Sequence, residues 1–348
     1  MARTKQIVAW NLMLEAYTEK FTGLNFISDQ TFADTGERKV ILEKYKDKYQ
    51  RQYSSLRSFP QGNRNCYKVK VAAAGAKYLI RAGFLYGDYD EQDMPPTFDL
   101  FVGNDLWDSV KIADSSYSVE KEIIHIPPQS HVLVCLVNTG HGIPFISTLE
   151  FRPLDNSTYP TQTAGESLAS AGRWDVGSSK GYRYDKDFHD RFWYKWQPNE
   201  SKNLSTTLAI IDSKDTDDHY NIPSVVMRTA AVPEDANGSL IFWWPPDNSN
   251  ISDVEYYFYM HFAEIQVLQA NQTREFNIFH NGDLFDGPIS PAYLRTTTLY
   301  NKIPLKARLH NFTISKAENS TLPPILNALE IYIVKQFSQR ETHQQDGE

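Results

Sequence analysis

Only two of the 348 residues are cysteine, Cys66 and Cys135, too few for a fold built on disulfides. No apolar run approaches the ~20 residues of a membrane-spanning helix. The most apolar stretch, residues 254–268, is interrupted by His261, Glu264 and Gln266. Met1 to Tyr17 lacks the ~7–15-residue apolar core and small-residue cleavage site of a signal peptide. Dense Lys/Arg blocks are missing too, and the formal net charge is −8, which argues against nucleic acid as a partner. There is no P-loop, GxSxG, HExxH or CxxC, and the nine histidines show no ligand spacing. Asp212, Asp215, Asp217 and Asp218 form an acidic run without the Gly and terminal Glu of an EF-hand, so they read as a solvated loop. Adjacent carboxylates such as Asp88 and Asp90 do not supply the two-sided geometry of glycoside hydrolysis. No enzyme, metal or cofactor is expected.

What the chain does have is aromatic surface and sequons. Hydrophobic residues make up 41% and charged residues 22%, enough to bury a core. With 20 Tyr and 19 Phe the composition favours strands over helices. Asn156, Asn199, Asn203, Asn237, Asn250, Asn271, Asn311 and Asn319 each open an Asn-X-Ser/Thr triplet. Chance would supply roughly three such triplets. The excess points to a fold shaped in the secretory pathway, and it sets the missing leader down to a truncated or altered N-terminus. Cys66 and Cys135 lie in strand-like runs and pair if those strands are neighbours. Two separately buried thiols fit the sequence as well.

One stretch is written twice. Phe98 to Trp107 reads Phe-Asp-Leu-Phe-Val-Gly-Asn-Asp-Leu-Trp, and Phe276 to Phe285 reads Phe-Asn-Ile-Phe-His-Asn-Gly-Asp-Leu-Phe. Each predicts a hairpin: an alternating strand, a Gly/Asn turn, then Asp-Leu-aromatic. Phe98, Leu100, Phe276 and Ile278 are its expected core residues. Tyr78–Tyr86 has a counterpart in Tyr257–Leu268, and Pro144–Glu150 one in Pro324–Glu330, at nearly constant offset. A tandem duplication follows. Further strands are expected at 65–71, 108–113, 119–126, 131–137 and 145–152, a weak helical turn or two at Trp10–Tyr17, and an exposed loop or short helix at 37–50. Many short strands with frequent turn signals imply an all-β fold, two β-sandwiches with few short helices. The expected division is an atypical segment over 1–20, sandwiches over 21–155 and 156–336, and a polar tail over 337–348.

These landmarks match a family. Gly23-Leu-Asn-Phe-Ile-Ser-Asp29, Asn65-Cys-Tyr67, Phe84-Leu-Tyr-Gly-Asp-Tyr-Asp90, Val134-Cys-Leu-Val-Asn-Thr-Gly140 and Leu149-Glu-Phe-Arg-Pro-Leu154 carry the likeness in the first half. Arg173-Trp174, Tyr182-Arg-Tyr-Asp185, Asp190-Arg-Phe-Trp193, His261-Phe-Ala-Glu264 and Asn327-Ala-Leu-Glu-Ile-Tyr332 carry it in the second. Over roughly residues 20–340 the chain resembles the malectin-like domain found in tandem outside the membrane in plant receptor-like kinases, many with leucine-rich repeats. The resemblance implies a glycoprotein at the extracellular face of the plasma membrane, a non-catalytic signalling ectodomain. Its ligand would be a secreted peptide, a cell-wall carbohydrate or a co-receptor. A lectin or carbohydrate-active enzyme is the alternative, and a truncated receptor fragment without independent function is another. Family members begin with an apolar strand ending in Asp-Cys-Gly. Met1–Tyr17 stands in its place; if that strand is absent, the first sandwich lacks an edge or inner strand and leaves its neighbour unpaired.

Aromatic faces beside carboxylates suit sugar recognition. Tyr86, Asp88 and Tyr89 form one such group, and Tyr182, Tyr184 and Trp193 another, so these six are the candidate ligand cleft, placed between the sandwiches. The same composition suits a packed core. The aromatic pair that contacts sugar in animal malectin corresponds to Asp88 and Tyr89 in the first copy and to Gln266 and Val267 in the second, so no sugar contact carries over.

Overall fold

The computed structural model describes residues 8–11, 16–19, 24–160, 163, 165–183, 187, 189–211, 220–245 and 253–338. The chain divides into two compact units. One comprises Met1–Asn156, Gln162–Ala169 and Lys335–Glu348; the other comprises Ser157–Thr161 and Ser170–Val334.

In the first unit, one sheet runs in the order Asn25–Ser28, Val8–Asn11, Thr148–Pro153, Tyr78–Leu85, Ser118–His125. A second runs Arg64–Lys70, His131–His141, Thr97–Val102, Asp105–Lys111. Alternation along Thr97–Val102 turns Phe98, Leu100 and Val102 inward and leaves Asp99 and Phe101 half-buried. Phe98 meets Phe84 of the other sheet at 5.6 Å between ring centroids, and Phe145 caps both. Tyr78–Leu85 is buried at every position. The expected separate strand at 108–113 is the continuation of Asp105–Lys111.

The second unit repeats the plan. Its four-stranded sheet runs Leu240–Trp244, His310–Lys316, Phe276–His280, Asp283–Ile289. Phe276 packs on Phe262 at 5.2 Å, as Phe98 does on Phe84. The likeness extends to a defect in the ladder. Leu100 pairs with Asp108 and Phe101 with Leu106, so Trp107 bulges; Ile278 pairs with Asp286 and Phe279 with Leu284, so Phe285 bulges. A bulge adds local twist, and both copies keep it. Asn281 and Gly282 take φ of 52° and 95°, the two positive values a tight primed turn needs. In the first copy Gly103 alone does so.

Two expectations are corrected. Val8–Asn11 and Tyr17–Thr18 are strands, not helical turns. Val8–Asn11 pairs antiparallel with Thr148–Pro153 and parallel with Asn25–Ser28, so the N-terminal segment supplies a strand to the first sandwich. The ladder on both sides overrides a weak local preference. Within 37–50, Glu37–Val40 is a strand on Ser55–Ser58 and Glu43–Lys46 a single helical turn.

Candidate functional site

The loop after Tyr78–Leu85 is held to one shape. Gly87, Asp88, Glu91 and Asp93 take φ of 54°, 52°, 59° and 49°, a region costly for residues with a Cβ. A Cβ on Gly87 would stand 2.4 Å from Cγ2 of Ile41. Hydrogen bonds hold the turn from beneath. Asp88 Oδ1 accepts from the Asp93 N–H at 2.8 Å, and Ser115 Oγ donates to Asp93 Oδ1 at 2.5 Å. Gly87 donates to Ser115 O at 3.0 Å and accepts from Leu42 N–H at 3.0 Å. The Tyr86 hydroxyl donates to Asp90 and accepts from the Met94 N–H. Above this frame the tip, residues 91–94, is exposed, with Met94 at 72%.

The candidate cleft residues lie mostly inside. Tyr86 is fully buried, Asp88 is buried and Tyr89 half-buried, with its hydroxyl 3.1 Å from Ser58 Oγ. Both rings pack on Phe145. Trp193 is buried, and its indole N–H donates to Asp187 at 3.1 Å. Asp187 also accepts from the backbone N–H groups of His189 and Arg191 and from the Arg191 guanidinium. The Asp187 carboxylate, in the midst of these aromatics, therefore folds its own loop. Only the Tyr182 backbone is described, paired with Trp193. Tyr184, Asn250 and the acidic residues Asp212, Asp215, Asp217 and Asp218 lie outside the described residues. Gln266 is engaged by Arg274 at 2.9 Å, and Val267 is 79% exposed.

Aromatic surface that sequence reading passed over lies on the edge strand Leu240–Trp244. Its alternation turns Leu240 and Phe242 inward and leaves Ile241 47% and Trp243 50% exposed. A recess of about 190 Å³ is lined there by Trp196, Gln197, Asn199, Ile241 and Trp243, among others. It is smaller than the ~300–1,000 Å³ of sites for drug-sized ligands. The signal was present as the Ile241-Phe-Trp-Trp244 alternation.

Cys66 and Cys135 face each other across neighbouring strands and are disulfide-bonded. A strongly perturbed acid lies inside the second unit. Glu330 accepts from Arg173 Nε at 2.8 Å and from the hydroxyls of Tyr159 and Tyr332 at 2.7 and 2.8 Å, and lies 3.1 Å from His261 Nε2. Burial alone would raise its pKa; the His261 hydrogen bond and the Arg191 and Arg173 charges outweigh that and hold it below the usual range. No solvent reaches this cluster, so it serves the core. Among the described residues no group of three His, Cys, Asp or Glu could hold a metal ion, and no helix is long and apolar enough to cross a membrane.

The malectin-like domain model matches residues 13–334. The probable LRR receptor-like serine/threonine-protein kinase At1g51860 of Arabidopsis thaliana is 44% identical over 95% of this chain and 36% of its own length. The probable LRR receptor-like protein kinase At1g51890 of the same plant is 42% identical over 95% and 37%. The chain thus spans little more than a third of these relatives. Among solved structures, the extracellular domain of ANXUR2 from Arabidopsis thaliana has a TM-score of 0.75 at 16% identity, covering 97% of this chain and 100% of that one. The structure of the plant peptide RALF23 in complex with FER and LLG2 matches with a TM-score of 0.72 at 15% identity, over 95% and 96%. The fold is that of the malectin-like ectodomains of these receptor kinases. A family model over nearly the whole chain shows that this protein belongs to the malectin-like domain family, and the curated relatives it resembles at 42–44% identity are plant LRR receptor-like kinases.

Proposed function

We propose that the chain is the extracellular, non-catalytic recognition part of a receptor-like kinase, and that the loop 86–94 of the first unit reads a basic secreted peptide. The observation that carries this is the loop itself: a backbone fixed from beneath, with Glu91 and Asp93 exposed at its tip. Preorganised loops lower the ordering cost of binding, and an acidic rim on a chain of net charge −8 steers cations toward it. A solved neighbour of the same fold, FER, is recorded with a plant peptide, RALF23, and with LLG2. Extracellular placement is supported by the sequons: all seven that are described, Asn156, Asn199, Asn203, Asn237, Asn271, Asn311 and Asn319, are exposed.

The Trp243 recess favours a second reading, a lectin. Titrating the secreted protein with a panel of cationic and neutral peptides at low and high salt, beside a glycan array and a cell-wall polymer hydrolysis assay, separates the two. Salt-sensitive binding confined to cationic peptides is expected. Glycan binding without peptide binding would make the protein a lectin, and turnover would make it an enzyme.

A further inference from the structure

The duplication allows the outer faces of the two four-stranded sheets to be compared residue by residue. Phe101 pairs with Cys135 in the first unit, and Phe279 with Thr313 in the second. On the next strand Cys135 faces Cys66 and Leu133 faces Lys68; Thr313 faces Ile241 and Asn311 faces Trp243. The place of the disulfide is therefore taken by Ile241 and Thr313, and that of Leu133 by Asn311. In the first unit this face is closed: Cys66, Leu133 and Cys135 are buried, Phe101 packs on them, and the Arg64 guanidinium lies 5.1 Å over the Phe101 ring. In the second the equivalents of Cys66 and Leu133, Ile241 and Asn311, are exposed, and Trp243, in the place of the exposed Lys68, is half exposed beside them.

What the second face has instead is a sequon. Asn311-Phe312-Thr313 runs antiparallel to Trp243-Phe242-Ile241, so Asn311 and Trp243 are direct cross-strand neighbours on the solvent side. Such neighbours carry Cβ atoms ~4.5–5.5 Å apart. The backbone of Asn311 is fixed, donating to Asn281 Oδ1 and accepting from Asn281 N–H, both at 2.8 Å. The Asn281-Gly282 turn thus anchors the sequon strand.

We propose that an N-linked glycan on Asn311 covers this face, its first N-acetylglucosamine stacked on the Trp243 indole, where the first unit uses a disulfide and Leu133. A sugar ring presents C–H surface to an aromatic face and hydroxyls to water, which suits a half-exposed tryptophan. The stripe Ile241–Trp243 is then the seat of the protein's own glycan, and exposed apolar surface of this kind needs some cover. The inference rests on passage through the secretory pathway, and the test distinguishes the two failures.

The protein is produced with a leader peptide in insect cells, and occupancy at each sequon is read by glycopeptide mass spectrometry. Occupancy at Asn311 is expected. No occupancy at any sequon would sink the secretory reading; occupancy elsewhere with Asn311 bare would overturn only this proposal. Asn311→Gln is then compared in the native and Trp243→Ala backgrounds. Loss of the glycan should lower Tm by about 2–4 °C in the first and by less than about 1 °C in the second. Trimming to a single N-acetylglucosamine should keep the native Tm, because that ring makes the contact. Equal losses in both backgrounds, or coupling of Trp243 to Asn199→Gln instead, would overturn it.

Discussion

Glu330 follows Glu150 by 180 residues and repeats its place: each is a fully buried carboxylate held by arginine, Arg173 at 2.8 Å and Arg81 at 3.2 Å. Glu150 also holds Arg152, and Arg81 also holds Glu122. Glu330 adds His261 and two tyrosine hydroxyls. Removing one partner of a buried ion pair leaves an uncompensated charge, a loss of roughly 3–5 kcal/mol. Glu330→Ala should lose about that much in urea unfolding, and Glu330→Gln less, because the amide oxygen still accepts. A loss under about 1 kcal/mol for Glu330→Ala would show that the freed arginines relax to water.

Asp175 should make the second unit less stable as pH rises. It is fully buried, and burial, only partly offset by the Thr229 and Ser178 hydroxyls, pushes its pKa up to about 7. A carboxyl raised in the folded state contributes stability that is complete below its unfolded pKa and is lost as pH climbs through the folded one. Across that interval each pH unit costs up to ~1.4 kcal/mol. Asp175→Asn should match the native protein near pH 4.5 and exceed it by about 2–3 kcal/mol at pH 7.5. Urea unfolding at both pH values checks this, and a constant difference would rule it out.

His125 in the first unit works in the opposite sense. Its ring is buried with one nitrogen 2.8 Å from Ser167 Oγ, and burial pulls its pKa down to about 4. Stability from the neutral ring is complete above pH ~6.5 and falls as pH drops toward 4. His125→Gln should flatten that acid limb in melts between pH 4 and 7 and leave pH 7.5 nearly unchanged. An unaltered slope would assign the limb to other groups.

The disulfide closes a loop of 69 residues in the first unit. Replacing Cys66 and Cys135 together with serine should cost ~2–4 kcal/mol, chiefly through the unfolded chain. A reductant should lower Tm of the native protein but not of the double variant. Identical melts with and without reductant would argue that the pair contributes nothing to stability.

How far the sequence could be read depends on which interactions are local. Phe98, Leu100, Phe276 and Ile278 are all fully buried as their period-2 pattern implied, because a strand with one wet face writes its burial into alternation. The Asn281-Gly282 turn is equally local. Tyr78–Leu85 is covered on both faces, so Arg81 gave no sign that it is a core residue paired with Glu122 and Glu150. Those partners are distant in sequence. Trp193 and Tyr86 show a different limit, because their partners are close in sequence. Composition placed aromatics beside aspartates, but only the fold shows that Asp187 bonds its own loop and that Asp90 takes the Tyr86 hydroxyl. Val8–Asn11 is a strand because two neighbours pair with it, and a four-residue segment holds no trace of that.

The loop 86–94 separates shape from charge in one experiment. Gly87 sits at φ 54° with Ile41 where a Cβ would go, so Gly87→Ala must deform the turn, at a cost of about 1–3 kcal/mol. It should weaken a cationic peptide by slowing its association and by loosening the Asp88–Asp93 frame. Glu91→Lys changes only an exposed tip residue and should leave stability within about 0.5 kcal/mol. It should nevertheless lower affinity for the same peptide about tenfold at low salt and much less at high salt, since exposed charges are screened. Calorimetric titration of both variants, with a melt of each, decides the matter. If Gly87→Ala loses stability while both variants bind as the native protein does, the loop is framework and recognition lies elsewhere on the first unit. If Glu91→Lys alone loses salt-sensitive affinity, the acidic tip is the contact.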